Sequence, residues 1–246
     1  MNQPFRKEIF GDLYRGFEMP LSELDCGLKC GPYNDYGVPV CCDIKLVVPA
    51  AFELEWSYLR HNTDLWQPWS SSDLVDLSEQ VQDGQVLLEC KGYQHCQRPF
   101  RTLTCRAFPF FPYLTRGGVF SGMGIYRDFR EDCWIISNLA VVTQDFKDAF
   151  QTTFNKVFDL FPKSRMNFQD FSQYIREEAA SEREEIVVLD FQGGAGLVDP
   201  LTERVAPVDF QDLPAYGPFA VARELPFPDE IQPGEDDRRP MRQHSR

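Results

Sequence analysis

Apolar positions recur along the C-terminal half of the chain with a helical period. Phe146, Phe150, Phe154, Val157 and Phe161 follow one another at spacings of four, four, three and four, which places them on one stripe of a helix facing a core. That helix is expected to end at Pro162. A second is predicted from Asn167, where Asp170 three residues on resembles a capping box, with Phe168, Phe171 and Ile175 on its apolar face. The charged stretch Arg176 to Glu185 is expected to carry this helix into solvent. Ile186 to Phe191 then reads as a strand, Gly193, Gly194 and Gly196 as a hairpin turn, and Arg204 to Phe210 as the return strand.

The N-terminal half is less regular. The stretch to Leu24 has a mixed pattern and reads as a lead-in. Pro49 to His61 places Phe52, Trp56 and Leu59 on one stripe and reads as an amphipathic helix opened by Pro49. Asn62 to Ser72 reads as a loop, Gln85 to Cys90 as a short strand, and Gly117 to Phe129 and Trp134 to Val142 as strands rich in β-branched and aromatic residues. From Glu224 the chain holds Pro226, Pro228, Pro233 and Pro240 with little apolar content, the composition of a disordered tail. The expected organisation is a Cys-rich module over 1–142, a helical and β completion of the same globular unit over 143–223, and a tail over 224–246. The fold class is α+β: a loop-dominated, Cys-rich metal-binding module with packed helices and short antiparallel strands.

Composition narrows the function classes. The 246 residues carry a formal charge of −13, so a nucleic-acid partner, which needs clustered Lys and Arg, is not expected. Apolar runs such as Val47 to Phe52 are far shorter than the ~20 residues of a membrane span. The N-terminus has no apolar segment of the secretory kind, so a cytoplasmic protein without a membrane partner is expected. Three histidines and the lack of an H-E-x-x-H motif or a P-loop leave hydrolase and nucleotide-triphosphatase chemistry without support. Gly193, Gly194, Ala195 and Gly196 fit neither phosphate-binding fingerprint.

The eight cysteines change the picture. Cys26, Cys30, Cys41 and Cys42 form one group, Cys90, Cys96 and Cys105 a second, and Cys133 follows. In a reducing compartment such clustering points to metal binding before disulfides. Thiolates are the soft ligands of zinc and of iron–sulfur clusters, and all eight are candidate ligands to one or the other. Eight suffice for two four-ligand sites, or for one with others left for a second role. The side chains of the adjacent pair Cys41–Cys42 are expected to point apart, which suits a larger cluster or two nearby sites better than one small ion. Arg98 and Arg106 are candidates to offset thiolate charge and donate to sulfur. Phe108, Phe110, Phe111 and Tyr113 are candidates for an apolar shell, Asp25 and Asp43 for groups that orient ligands, and His95 for a further ligand. His61 is expected at a helix C-terminus, facing the negative end of its dipole.

The CC pair, the later Cys90 and Cys96, Arg98-Pro99 and the block Cys105-Arg106-Ala107-Phe108-Pro109-Phe110 resemble the YkgJ-type Cys-rich family, described as zinc- or iron-chelating, whose cysteine pattern the flagellin lysine N-methylases share. The resemblance covers about Cys26 to Cys133. It implies metal chelation through these cysteines, with zinc or an iron–sulfur cluster as the cofactor. Alternatives are a protein-modifying enzyme of the lysine N-methylase type, with a protein substrate, and an interaction module whose structural metal supports a protein partner. No residue is singled out as catalytic.

Overall fold

The computed structural model describes residues 3–34, 37–70 and 84–220. It is an α+β arrangement of six helices and two antiparallel sheets among these residues. The predicted tail over 224–246 lies outside them.

The larger sheet runs β4 (Phe110–Leu114), β5 (Phe120–Ile125), β6 (Ile186–Leu189), β7 (Ala195–Val198) and β8 (Val205–Val208), in that spatial order and antiparallel throughout. Side chains alternate across a strand, and here both faces are covered. Phe110 and Leu114 of β4 and Val187 and Leu189 of β6 enter the main core, whereas Phe111, Tyr113, Ile186 and Val188 enter a second cluster with Ile175 and Ala179. Helix α5 (Gln144–Leu160) packs into the first core through Phe146 and Phe150, and α6 (Pro162–Glu182) covers the second through Phe171, whose ring lies 4.7 Å from that of Phe111. Two covered faces explain why β6 is apolar at every position. Close packing also requires a glycine at 124, since a Cβ there would sit 2.5 Å from the Phe111 ring.

The phenylalanine stripe is core, as its period predicts. Other expectations are corrected. Pro162 does not separate the two helices by a loop. It opens α6 at the first helical position, five residues before the predicted Asn167 start, because its missing N–H has no intrahelical partner to lose there. Arg176 is not in solvent: it is 1% exposed, donating to the Leu114 carbonyl, the Tyr113 hydroxyl and Gln173 and facing Glu203 at 3.3 Å. Beyond Arg176 the run does reach solvent, with Glu177 and Glu182 to Glu185 exposed, while the buried Arg127 pairs with Glu178 and Glu182 of α6 and with Glu184 past its end. Gly196 belongs to β7, and the return partner of β6 is β7 rather than the segment from Arg204, which forms the next strand out. Asp190 accepts from the Gln192 and Gly194 amides to make the intervening turn. Trp134 to Val142 is no strand but two 3-10 turns, Trp134–Ser137 and Leu139–Val141. With Trp134, Ile135, Ile136 and Leu139 all buried, the apolar run is wound into the core.

The N-terminal lead-in is a helix, α1 (Gln3–Gly16), whose Phe10, Leu13 and Tyr14 are core residues with the following Phe17. The predicted Pro49 to His61 helix is shortened to α3 (Glu53–Asn62), because Ala50–Phe52 is strand β1. Strand β1 pairs with β3 (Gln85–Cys90), whose other edge holds β2 (Trp66–Pro68). Two five-residue helices, α2 (Cys26–Cys30) and α4 (Leu103–Ala107), complete the part that carries the cysteines.

Removing the Arg176 guanidinium strands several buried acceptors and the Glu203 carboxylate. Arg176→Met is expected to cost about 3 kcal/mol, read as a lowered urea midpoint with unchanged slope. A loss under about 1 kcal/mol would show that water replaces those bonds.

Candidate metal centre

Short, separately capped elements position the cysteines. The Asp25 side chain accepts from the Gly27 amide and starts α2, which has Cys26 and Cys30 one turn apart on one face. Pro39 leads into the 3-10 turn Val40–Cys42. Cys90 ends β3, and Cys96 follows the 3-10 turn Tyr93–His95. Cys105 sits on α4, where the Thr102 hydroxyl accepts its amide at 3.1 Å. Cys133 is buried just before the turn at Trp134.

All eight thiols are unbridged, and several lie close enough to Cys42 to feel its charge. A negative charge there raises the thiols of Cys26, Cys30, Cys90 and Cys105, while Cys133 interacts with Cys30 and Cys26, and Cys90 with Cys96. Burial pushes Cys26 up to about 11 and Cys30 and Cys105 up to about 12. Cys42 moves the other way. Its sulfur lies 3.9 Å from that of Cys41, and the hydrogen bond from the Cys41 thiol, helped by the Arg101 charge, outweighs burial and lowers Cys42 while Cys41 rises. The adjacent side chains therefore do not point apart, because the 3-10 turn curls the backbone enough for the two sulfurs to touch.

Cys41, Cys42, Cys90, Cys96 and Cys105 line one cavity of about 50 Å³ together with Arg101, Trp66 and Tyr93. That volume holds a few water molecules or a compact inorganic group. Arg101 donates from Nε to the Cys96 sulfur at 3.2 Å. Among the described residues no three Cys, His, Asp or Glu side chains are already grouped tightly enough to hold a metal ion. The donor chemistry of the cavity wall, five thiols and a cation on one of them, is that of a soft, thiolate-bound group.

The arginines predicted to face sulfur do something else. Arg98 is 71% exposed and lies 3.6 Å from Asp25. Arg106 binds main-chain carbonyls: Nε reaches Arg101, one terminal nitrogen reaches Tyr14 and Phe17, and the other reaches Arg98 and Pro99. Its guanidinium also stacks 4.5 Å over the Tyr14 ring. The Tyr14 hydroxyl in turn donates to Glu55 at 2.7 Å, and Glu55 accepts the Leu103 and Phe52 amides. Arg106 thus pins α1 to the segment that carries Cys96 and Cys105, and Glu55 pins the start of α4. Arg101, Tyr14 and Glu55 escaped the sequence reading. The signal for Glu55 was present, since it shares the helical face of Phe52 and Leu59.

Of the aromatic shell only Phe108 lies beside the thiols, in a neighbouring cleft. Phe110, Phe111 and Tyr113 are sheet core. Asp43 accepts the Lys45 amide in its own turn, and His95 is exposed. His61 does end α3, where its Nδ1 meets the Ser57 carbonyl. No family model, curated protein or solved structure matches this chain.

Lysine keeps the charge of Arg106 but not the planar fork, so Arg106→Lys is expected to lose about 3 kcal/mol in urea denaturation. Near-wild-type stability would show that charge, not the fork, matters. Glu55 tests pH. Burial pushes its carboxyl up to about 7 despite three donors and Arg106. The folded protein then binds the proton more tightly than the unfolded chain, so the contribution is complete below the ordinary carboxylate range and is lost as pH rises through about 7. Relative to Glu55→Gln, the wild type should lose about 2–3 kcal/mol between about pH 5 and 8. Parallel pH profiles would place the Glu55 carboxyl at its unfolded value.

Proposed function

We propose that this protein holds a metal centre on clustered cysteine thiolates, in a reducing, cytoplasmic setting where its thiols stay unbridged. The supporting observation is the cavity on which Cys41, Cys42, Cys90, Cys96 and Cys105 converge from distant parts of the chain, with Arg101 on one sulfur. Five thiols around one small cavity are more than packing requires, and the resemblance to the zinc- or iron-chelating YkgJ-type family points the same way.

We favour an iron–sulfur cluster over a lone zinc because five thiols, one more than a tetrahedral zinc uses, line the same cavity. With Zn–S bonds of ~2.3 Å, tetrahedral zinc needs four sulfurs within ~3.8 Å of one another. Cys41 and Cys42 meet that separation at 3.9 Å, yet no third ligand is already grouped with them among the described residues. A cluster spreads its thiolates over two or more irons and so accepts a wider ring of sulfurs. When bound, such a group supplies redox or Lewis-acid chemistry. The residues of this chain supply its thiolates, the Arg101 donor and the Tyr93 and Trp66 walls. Cys26 lines the neighbouring cleft, and Cys26, Cys30 and Cys133 are the remaining candidate ligands of the same constellation.

Metal analysis and an absorption spectrum on anaerobically purified protein test the reading. Iron with acid-labile sulfide is expected, and the double change Cys41→Ser, Cys42→Ser or the single change Cys105→Ser should remove most of it. Zinc without visible absorption would replace the cluster by a single-ion site. Metal-free protein that binds neither iron nor zinc would overturn the proposal.

A further inference from the structure

The thiol cavity is not sealed. A cleft of about 660 Å³ shares Cys41, Cys42, Tyr93, Cys96, Arg101 and Cys105 with it, so the thiols form the floor of a space as large as ordinary small-molecule sites. One wall is the segment from Phe17 to Gly27, and the other runs from Tyr93 to Phe108. Met19, Leu24 and Tyr93 line it while remaining 40–44% exposed, which provides apolar surface on both walls.

The charges of the cleft select its ligand. Glu18, Glu23 and Asp25 stand against Arg98, Arg101 and Arg106, a formal sum of zero. Arg106 is committed to main-chain carbonyls, and Arg98 lies at the rim against Asp25. Arg101 differs. Its Nε is fixed on the Cys96 sulfur, and among the described residues its two terminal nitrogens have no hydrogen-bond acceptor. A guanidinium held at one corner presents its remaining donors as a planar fork suited to a carboxylate. The acidic wall opposite disfavours a multiply charged phosphate.

We propose that the cleft binds a small organic monocarboxylate, its anion on Arg101 beside the thiols and its apolar body along Met19, Leu24 and Tyr93. The inference rests on the metal-centre reading only in that the bound molecule would lie beside that centre; the binding site itself needs only the protein.

Side-chain NMR on the full chain tests it, following Arg101 Nε–Hε and the Met19 methyl while hexanoate, hexanamide or inorganic phosphate is titrated. Hexanoate should move both signals and bind at least about tenfold more tightly than hexanamide, the difference that one charge-assisted pair provides. Arg101→Gln should lose about tenfold, Arg101→Lys an intermediate amount, and Arg98→Gln less than about twofold. Unchanged melting of the variants excludes misfolding. Equal binding of hexanoate and hexanamide, tighter phosphate binding, or indifference to Arg101→Gln would overturn the proposal. Metal analysis of the same samples separates the two readings: hexanoate binding by protein that takes up no metal would overturn the metal centre and keep the cleft, and metal uptake without hexanoate binding would do the reverse.

Discussion

The part of the protein that carries the cysteines depends on one buried network, Arg106 stacked on Tyr14 with Tyr14 bonded to Glu55. These three residues come from α4, α1 and α3; Arg106 and Glu55 bond main-chain groups, and Tyr14 links the two. Arg106 alone satisfies carbonyls at Tyr14, Phe17, Arg98, Pro99 and Arg101. A loop-rich segment cannot bury its backbone unless such groups find partners, and a guanidinium is the side chain with enough donors to do it from one point. Without this staple the segments bearing Cys96 and Cys105 would have no fixed position relative to α1.

The thiol ring inherits its geometry from that support. Thr102 and Glu55 together hold the first turn of α4, so Cys105 faces Cys42 from a short helix that could not persist by itself. Strand β3 delivers Cys90 from a three-stranded sheet, and the turn after Pro39 delivers the vicinal pair. The result mixes buried thiols with one, Cys42, whose ionised form is favoured by a neighbouring thiol and by Arg101.

The two halves of the fold rest on different physics. The half with α5, α6 and the five-stranded sheet is held by aromatic and aliphatic packing on both sheet faces, with Phe150 and Phe154 4.5 Å apart along the spine of α5. The cysteine-bearing half relies more on polar staples and caps. Both share one continuous core, into which α1 brings Phe10 and Phe17 against Phe161 and Phe146.

The sequence by itself determined the elements whose signal is local. The four-four-three-four spacing of phenylalanines is helix α5 because a 3.6-residue period admits no other regular structure. Ile186 to Leu189 and Gln85 to Cys90 are strands for similar reasons, and the cysteines were recognisable as a constellation from type and number. What only the tertiary structure decided is which polar groups lie inside. Arg176 looks like the start of a solvated run, and Arg106 looks like a partner for sulfur. Their roles follow from carbonyls and hydroxyls brought to them from 62 and 89 residues away in the chain. Trp134 to Val142 has strand composition, yet its apolar residues are buried by winding into two 3-10 turns rather than by joining a sheet. The contact between the Cys41 and Cys42 sulfurs, and the place of Arg101 between thiols and cleft, arise from where loops are pinned. That is set by long-range hydrogen bonds, which carry no periodic signature in the residues they join.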